Sequence, residues 1–138
     1  MRELSAAAWA HFERPRNVGG PATDQPNTVE VQVGEPVSGA VLRLHLQINE
    51  QNVINQALFQ AYGCGWLIAC GSLLTELLQN QTMVEAGHFR HHTLVERLEI
   101  PPEKLYCAVL AETALKSALR AFAAKNSACV DPEPTASP

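Results

Sequence analysis

The chain contains no stretch of about 18 consecutive apolar residues, so no part of it reads as a membrane-spanning helix. Its first residues carry Arg2 and a few alanines but no apolar core of a secretory signal, and the chain is expected in the cytoplasm. Lys and Arg form no stripe and the net charge is −4, which disfavours nucleic-acid binding as the main role. A P-loop, a GxGxxG and a Ser–His–Asp order are all missing, and with them the usual signs of nucleotide binding or nucleophilic hydrolysis. The four cysteines (Cys64, Cys70, Cys107 and Cys129) include no CxxC, so their spacing argues against a self-contained structural zinc site. Without a secretory signal they read as thiols rather than as a disulfide framework.

What is present fits one folded domain. The 138 residues are 46% hydrophobic, enough for a substantial core and too much for wholesale disorder. From Ser127 onward the residues are small, polar and Pro-rich, so we divide the chain into a domain over 1–125 and a disordered tail over 126–138 that carries Cys129.

The first part of the domain has mainly β character. Ser5 is placed to cap a short helix through Ala6, Trp9 and Phe12, and the Pro and Gly residues around 15–21 end it. Val29, Val31 and Val33 alternate with Glu30 and Gln32, which predicts a half-buried strand over 28–33. Leu42, Leu44, Leu46 and Ile48 alternate with Arg43, His45 and Gln47, which predicts a strand over 40–48 with His45 on its polar face. The segment 49–52 is a hairpin loop without the Asn-Gly signal. A third strand follows over 53–62, with Ile54, Leu58 and Tyr62 alternating against Val53, Ala57 and Phe59.

After Tyr62 the period changes. Trp66, Leu67, Cys70, Leu73, Leu74, Leu77 and Leu78 recur at spacings of three and four, the stripe of an amphipathic helix. Thr82 with Glu85, and Thr93 with Glu96, match the capping box and predict the starts of two short helices. Ile100-Pro101-Pro102-Glu103-Lys104 is a rigid connector, and Leu105 to Phe122 gives a final amphipathic helix with Cys107 in its first turn.

The chemistry centres on Tyr62-Gly63-Cys64-Gly65-Trp66. Glycine permits positive φ and close backbone approach, so a sharp strand-to-helix turn fits there. A cysteine on such a turn faces the unsatisfied N–H groups of the helix, which favour a thiolate. Cys107 has the same placement at another helix start. Against this stands the ordinary behaviour of a free cysteine as a small buried hydrophobe, which is how Cys70 on the apolar stripe reads. His88, His91 and His92 cluster between short helices and have the chemistry to bind a borderline metal, although exposed histidines in a polar connector are commoner. Neither His11 nor His45 makes a strong claim.

Taken in order, several motifs resemble the IscU/NifU N-terminal family of iron–sulfur cluster scaffolds. They are His11-Phe12-Glu13-Arg14-Pro15-Arg16-Asn17-Val18-Gly19, Gly34-Glu35-Pro36-Val37-Ser38-Gly39, Phe59-Gln60-Ala61-Tyr62-Gly63-Cys64-Gly65, and the run from Ile100 through Tyr106-Cys107 to Leu110-Ala111-Glu112. The resemblance implies an α+β fold with a three-stranded antiparallel sheet and helices packed on it. It also implies iron–sulfur cluster assembly, with no enzymatic turnover of the chain's own, through handling of iron, a [2Fe–2S] cluster or sulfur. Of the family's ligand positions, Cys64 and Cys107 are kept. The first cysteine position is Ser38, the aspartate position is Ala40 and the histidine position is Tyr106, which leaves Ser38 and Tyr106 as weaker contributors. A cluster normally takes four protein ligands, so one chain falls short and a homodimer sharing four thiolates is one solution. The implied partners are a cysteine desulfurase and a dedicated heat-shock-type chaperone, the latter docking at Pro101, Pro102 and Lys104. The competing reading is a metal-free adaptor or regulator that binds the desulfurase or the chaperone and carries no cluster.

Overall fold

Alternating leucines make 40–48 the centre of the molecule. In the computed structural model, which describes residues 4–14, 18 and 27–127, strand β2 (Ala40–Ile48) lies between β1 (Thr28–Glu35) and β3 (Ile54–Tyr62) and is antiparallel to both. Leu42, Leu44, Leu46 and Ile48 are fully buried. The register sets Val33, Val31 and Val29 beside the first three on one side, and Ala61, Phe59 and Ala57 on the other. The expected three-stranded antiparallel sheet is therefore present, with β1 extending two residues past its predicted end.

The alternation read for 53–62 fails at its start. A register shift between Gln47 and Ile48 pairs Ile48 with Ile54. One extra residue in a strand reverses which face its neighbours occupy. Ile54 thus joins Ala57 and Phe59 in the core, while Leu58 pairs with His45 on the opposite face. His45 itself is not the solvated residue its alternation predicts: it is 5% exposed and its Nδ1 is buried without a hydrogen-bond partner. Burial lowers its pKa, against the pull of Glu30.

The helices cover the leucine face. Helix α1 (Ala6–Glu13) is capped by Ser5, whose hydroxyl accepts from the Ala8 N–H at 3.0 Å and donates to the Leu98 carbonyl. It packs on α2 (Gly65–Leu78), which lies against β3. Phe59 lies so close to Gly71 that a Cβ at this position would approach its ring atoms to 2.5 Å, so α2 sits at a distance from the sheet that only glycine allows.

Helix α3 (Met83–Gly87) opens with the predicted capping box: the Thr82 hydroxyl accepts from the Glu85 N–H and the Glu85 carboxylate accepts from the Thr82 N–H, both at 3.0 Å. Helix α4 (His91–Leu98) does not begin at Thr93. It starts two residues earlier, with Arg90 at the cap and no capping side chain of its own; a carboxylate from another helix takes that role, as described below. A short 3-10 turn over Pro102–Lys104 leads into α5 (Leu105–Ser127), which covers β1 and β2. The expected tail over 126–138 does not begin at 126, since α5 runs through Ser127; its remainder from 128 on, with Cys129, lies outside the described residues. Among the described residues no helix is long and apolar enough to cross a membrane.

Two other segments lie along the outer edge of β3. Val18 forms a parallel bridge with Phe59. Farther along, the Ile54 N–H donates to the Gln81 carbonyl and the Asn80 N–H to the Ile54 carbonyl, both at 2.7 Å, and the Met83 N–H reaches the Asn52 carbonyl at 2.9 Å.

Candidate functional site

Cys64 sits where β3 gives way to α2, as the extended N-cap residue with φ −81° and ψ 171°. The glycines around it serve close approach rather than positive φ. A Cβ on Gly63 would come within 3.0 Å of the Leu67 side chain, and one on Gly65 within 3.2 Å of Phe12. The one positive-φ glycine among the described residues is Gly39, at +79°, in the β1–β2 turn.

Cys107 is the third residue of α5 and is fully buried, whereas Cys64 is partly exposed. The two sulfurs lie 3.8 Å apart, although 43 residues separate them in sequence. That distance is far beyond a covalent S–S bond of about 2.05 Å. It does match the edge of a tetrahedron around a single metal, which for a metal–sulfur bond of about 2.3 Å is about 3.8 Å. Two helix starts thus present a chelating pair of soft donors.

The two thiols differ in acidity. A hydrogen bond from the Cys107 thiol has the largest effect on Cys64 and holds it at about 5, against the opposing effect of burial; the N–H groups of Leu67 and Trp66 and the charge of Lys104 add to the lowering. Cys64 is therefore the thiolate of the pair. Cys107 is pushed well above the ordinary thiol range, first by the hydrogen bond it gives to Cys64 and then by burial and by the Cys64 charge. Cys70, the third thiol of the region, is fully buried on α2 and raised chiefly by that burial, which fits the core role read from its position.

Tyr106 and Ser38 border the pair. Burial raises the Tyr106 phenol to about 12, reinforced by the charges of Cys107 and Cys64, while a hydrogen bond with Ser38 works the other way. Ser38 lies in an exposed turn organised by Glu35. The Glu35 carboxylate accepts from the Ser38 N–H at 2.7 Å and from the Val37 N–H at 3.2 Å, and the Ser38 hydroxyl accepts from the Ala40 N–H at 3.1 Å. Hydrogen bonding to the Ser38 side chain and N–H holds the Glu35 carboxyl below its usual range. Glu35 is the site-ordering residue that pattern reading misses, although a carboxylate three residues ahead of a serine in a Pro-containing turn is a legible signal for such a bond. Ala40 is only 3% exposed, and its methyl group packs beside Gly63, the residue before Cys64.

The connector residues divide. Pro102 and Glu103 are exposed and Pro101 partly so. Lys104 is also partly exposed; its Nζ lies 5.9 Å from the Tyr106 ring centroid, and its charge is felt at Cys64. Among the described residues there is no group of three or more His, Cys, Asp or Glu able to hold a metal. The histidine cluster of 88–92 is accordingly no ligand set; His91 is bonded to Glu112 at 2.7 Å and stacked on His92, with centroids 4.3 Å apart.

Comparison with known proteins agrees with this architecture. A family model described as the NifU-like N terminal domain matches residues 4–129. The iron–sulfur cluster assembly scaffold protein IscU of Azotobacter vinelandii is 43% identical over 116 residues, covering 84% of this chain and 91% of that protein. The protein of the same name from Escherichia coli K12 is 38% identical over 118 residues, covering 86% and 92%. Two solved structures share the fold. One, a candidate iron–sulfur cluster assembly scaffold for the SUF system from Fervidobacterium islandicum AW-1, has a TM-score of 0.66 at 15% identity and covers 83% of this chain and 95% of that one. The other, an N-terminal NifU-like protein from Brucella abortus, has a TM-score of 0.52 at 13% identity and covers 89% and 83%.

Proposed function

The chain belongs to the family of NifU-like N terminal domains, and from that premise we propose that it works in iron–sulfur cluster assembly as a scaffold, handling iron, a [2Fe–2S] cluster or sulfur through Cys64 and Cys107. The observation that carries the reading is the 3.8 Å separation of the two sulfurs. Thiolates are the soft anionic donors such cargo requires, and this pair is already spaced for one metal. No rearrangement of the backbone is needed to bring both donors to it.

One chain supplies half of a cluster's usual four ligands. Ser38 and Tyr106 are poor substitutes at neutral pH, since an alkyl hydroxyl is a weak ligand and the phenol is held protonated up to about 12. Two copies, each offering Cys64 and Cys107, make up a four-thiolate set. In this reading the cargo is shared by a homodimer, with a cysteine desulfurase supplying sulfur and the exposed Pro101–Pro102 corner available to a chaperone.

Anaerobic reconstitution tests this directly, with iron, acid-labile sulfide and mass measured on the same sample. We expect one [2Fe–2S] cluster per two chains, lost when either Cys64 or Cys107 is replaced by serine. The absence of any third carboxylate, imidazole or thiolate that could join the pair in holding a metal, among the described residues, favours one rival, a metal-free adaptor. Iron-free protein with both thiols intact, still binding the desulfurase, would establish the rival instead.

A further inference from the structure

Gly65, Ser72 and Glu76 recur on α2 at a spacing that puts the last two within about 20° of Gly65 around the helix axis. Helix α1 meets this stripe at each of the three residues. The His11 ring takes two of them: its Nδ1 lies 2.7 Å from the Ser72 hydroxyl, and its Nε2 lies 3.6 Å from the Glu76 carboxylate. The neighbouring residue takes the third. A Cβ on Gly65 would come within 3.2 Å of the Phe12 ring and within 3.3 Å of the Leu4 side chain. Gly65 follows Cys64 directly. We propose that His11 is a positioning residue for Cys64: it pins α1 on α2 so that Phe12 is seated on Gly65 and the thiol is held beside Cys107. The proposal rests on the assembly reading above, in which these two sulfurs hold the cargo.

The need for such a pin lies in the joint itself. Cys64 is the cap residue of α2 and makes no capping bond with its side chain. The residue after it is glycine, which has the greatest backbone freedom. Nothing local to the turn therefore fixes the direction of the thiol. Cys107 is different, because it lies inside α5 and is fully buried. Of the two sulfurs, 3.8 Å apart, Cys64 is the one whose place depends on a neighbour outside its own helix. An aromatic ring on the Gly65 backbone supplies that neighbour.

The ring must in turn be held. Trp9 packs against it, with ring centroids 5.6 Å apart, but apolar packing is non-directional. The bond of His11 to Ser72 is directional and shielded, since Ser72 is fully buried, and it sets how α1 is rolled on α2. The other anchor of α1 acts elsewhere. The Ser5 hydroxyl donates to the Leu98 carbonyl, which ties the start of α1 to the end of α4 and not to α2.

The test uses the full chain, reduced and free of metal, titrated with cadmium, a soft ion that a thiolate pair chelates. Binding is read from sulfur-to-cadmium ultraviolet absorption, with the urea midpoint measured on each variant. Natural protein should bind one cadmium per Cys64–Cys107 pair, and protein that binds none overturns the proposal. His11→Ala should weaken binding roughly fivefold, the scale of one lost hydrogen bond. His11→Asn should restore it to within about twofold, because an amide offers both a donor and an acceptor to Ser72. Phe12→Ala should weaken binding too, and the double variant should be no weaker than the worse single one, as for residues that act through one contact. Ser5→Ala loosens α1 at its other anchor; it should lower the urea midpoint and leave cadmium binding unchanged. Unchanged binding in His11→Ala, no rescue by His11→Asn, additive losses in the double variant, or an equal loss in Ser5→Ala each overturns the proposal. If His11→Ala does not fold, Ser72→Ala removes the same bond from within a helix that alanine favours, and unweakened binding there overturns it. Iron–sulfur reconstitution is measured separately, so natural protein that binds cadmium through both thiols but assembles no cluster refutes the assembly reading and not the pin.

Discussion

Glu112 on α5 holds the first turn of α4 through His91, accepting from its backbone N–H at 2.9 Å and pairing with its ring Nδ1 at 2.7 Å. A helix whose own cap residue, Arg90, offers no acceptor thus borrows one from 21 residues away. Helix caps are worth about 1 kcal/mol. Glu112→Ala should therefore lower stability by about 1–2 kcal/mol in urea titration, and Glu112→Gln by less, because its amide oxygen can still accept from the N–H.

The same carboxylate gives a pH dependence. Partial burial pushes its pKa up, but the hydrogen bonds and charge of His91 outweigh it and hold it below the usual value. A lowered folded-state pKa means that the stabilisation is complete above the unfolded value of about 4.3. It is lost as pH falls through the lower folded value. The advantage of the natural protein over Glu112→Gln, measured by urea midpoint, should be full at pH 6 and shrink steadily below about pH 4.3.

Cys64 should react as a thiolate in mild acid. With its pKa near 5, the rate of alkylation by iodoacetamide at this residue should rise through pH 5 and level off by about pH 7. In Cys107→Ala the chief hydrogen bond is gone, and the midpoint should move up toward the ordinary thiol value of about 8.5. A midpoint unchanged in that variant would assign the effect to the helix N–H groups and Lys104 instead.

Restoring the ligand set that the family resemblance implies should give metal binding at a cost in stability. Ser38→Cys and Tyr106→His change groups at the border of the thiol pair, but Ala40→Asp puts a carboxylate where a buried methyl packs near Gly63 and Leu67. The triple variant should hold more iron than the natural protein after reconstitution. Free of metal, it should be about 1–3 kcal/mol less stable than the Ser38→Cys, Tyr106→His pair. Thermal melts of the two metal-free variants provide the comparison.

Gly71→Ala tests how α2 is seated. Alanine is the better helix former by about 1 kcal/mol, yet its methyl would meet the Phe59 ring at 2.5–3.0 Å. Overpacking should outweigh propensity and leave a net loss of about 1–3 kcal/mol. Because α2 carries Cys64 at its start, the same variant should weaken iron retention even though no ligand is changed.

Local patterns in the sequence predicted local structure well. The leucine alternation of β2, the Thr82 capping box and the start of α5 all lie where nearest-neighbour chemistry decides the outcome. The failures have distant causes. Thr93 and Glu96 match a capping box, but α4 is set two residues earlier by Glu112, which no window around residue 93 contains. Ile54 reaches the core because of a register shift that depends on its pairing with β2. His45 is buried although its strand position alternates with leucines. Each thiol stands out by its helix-start position, but their meeting is implied only by the family resemblance. Neither periodicity nor spacing gives a contact between residues 64 and 107, because that contact belongs to the packing of α2 and α5 on one sheet.

The segments along β3 bear on what happens when copies of the chain crowd together. An open strand edge is a template on which another chain can add. On β3, Gln81, Asn80 and Met83 already use backbone groups near its start, and Val18 bridges at Phe59. Among the described residues this leaves β1 as the less protected side. Its exposed Glu30 is paired with Arg43 of β2 at 3.5 Å. A continuous intermolecular sheet needs both flanks open, and backbone pairing already occupies the β3 flank, so stacking of copies edge to edge cannot propagate through this sheet.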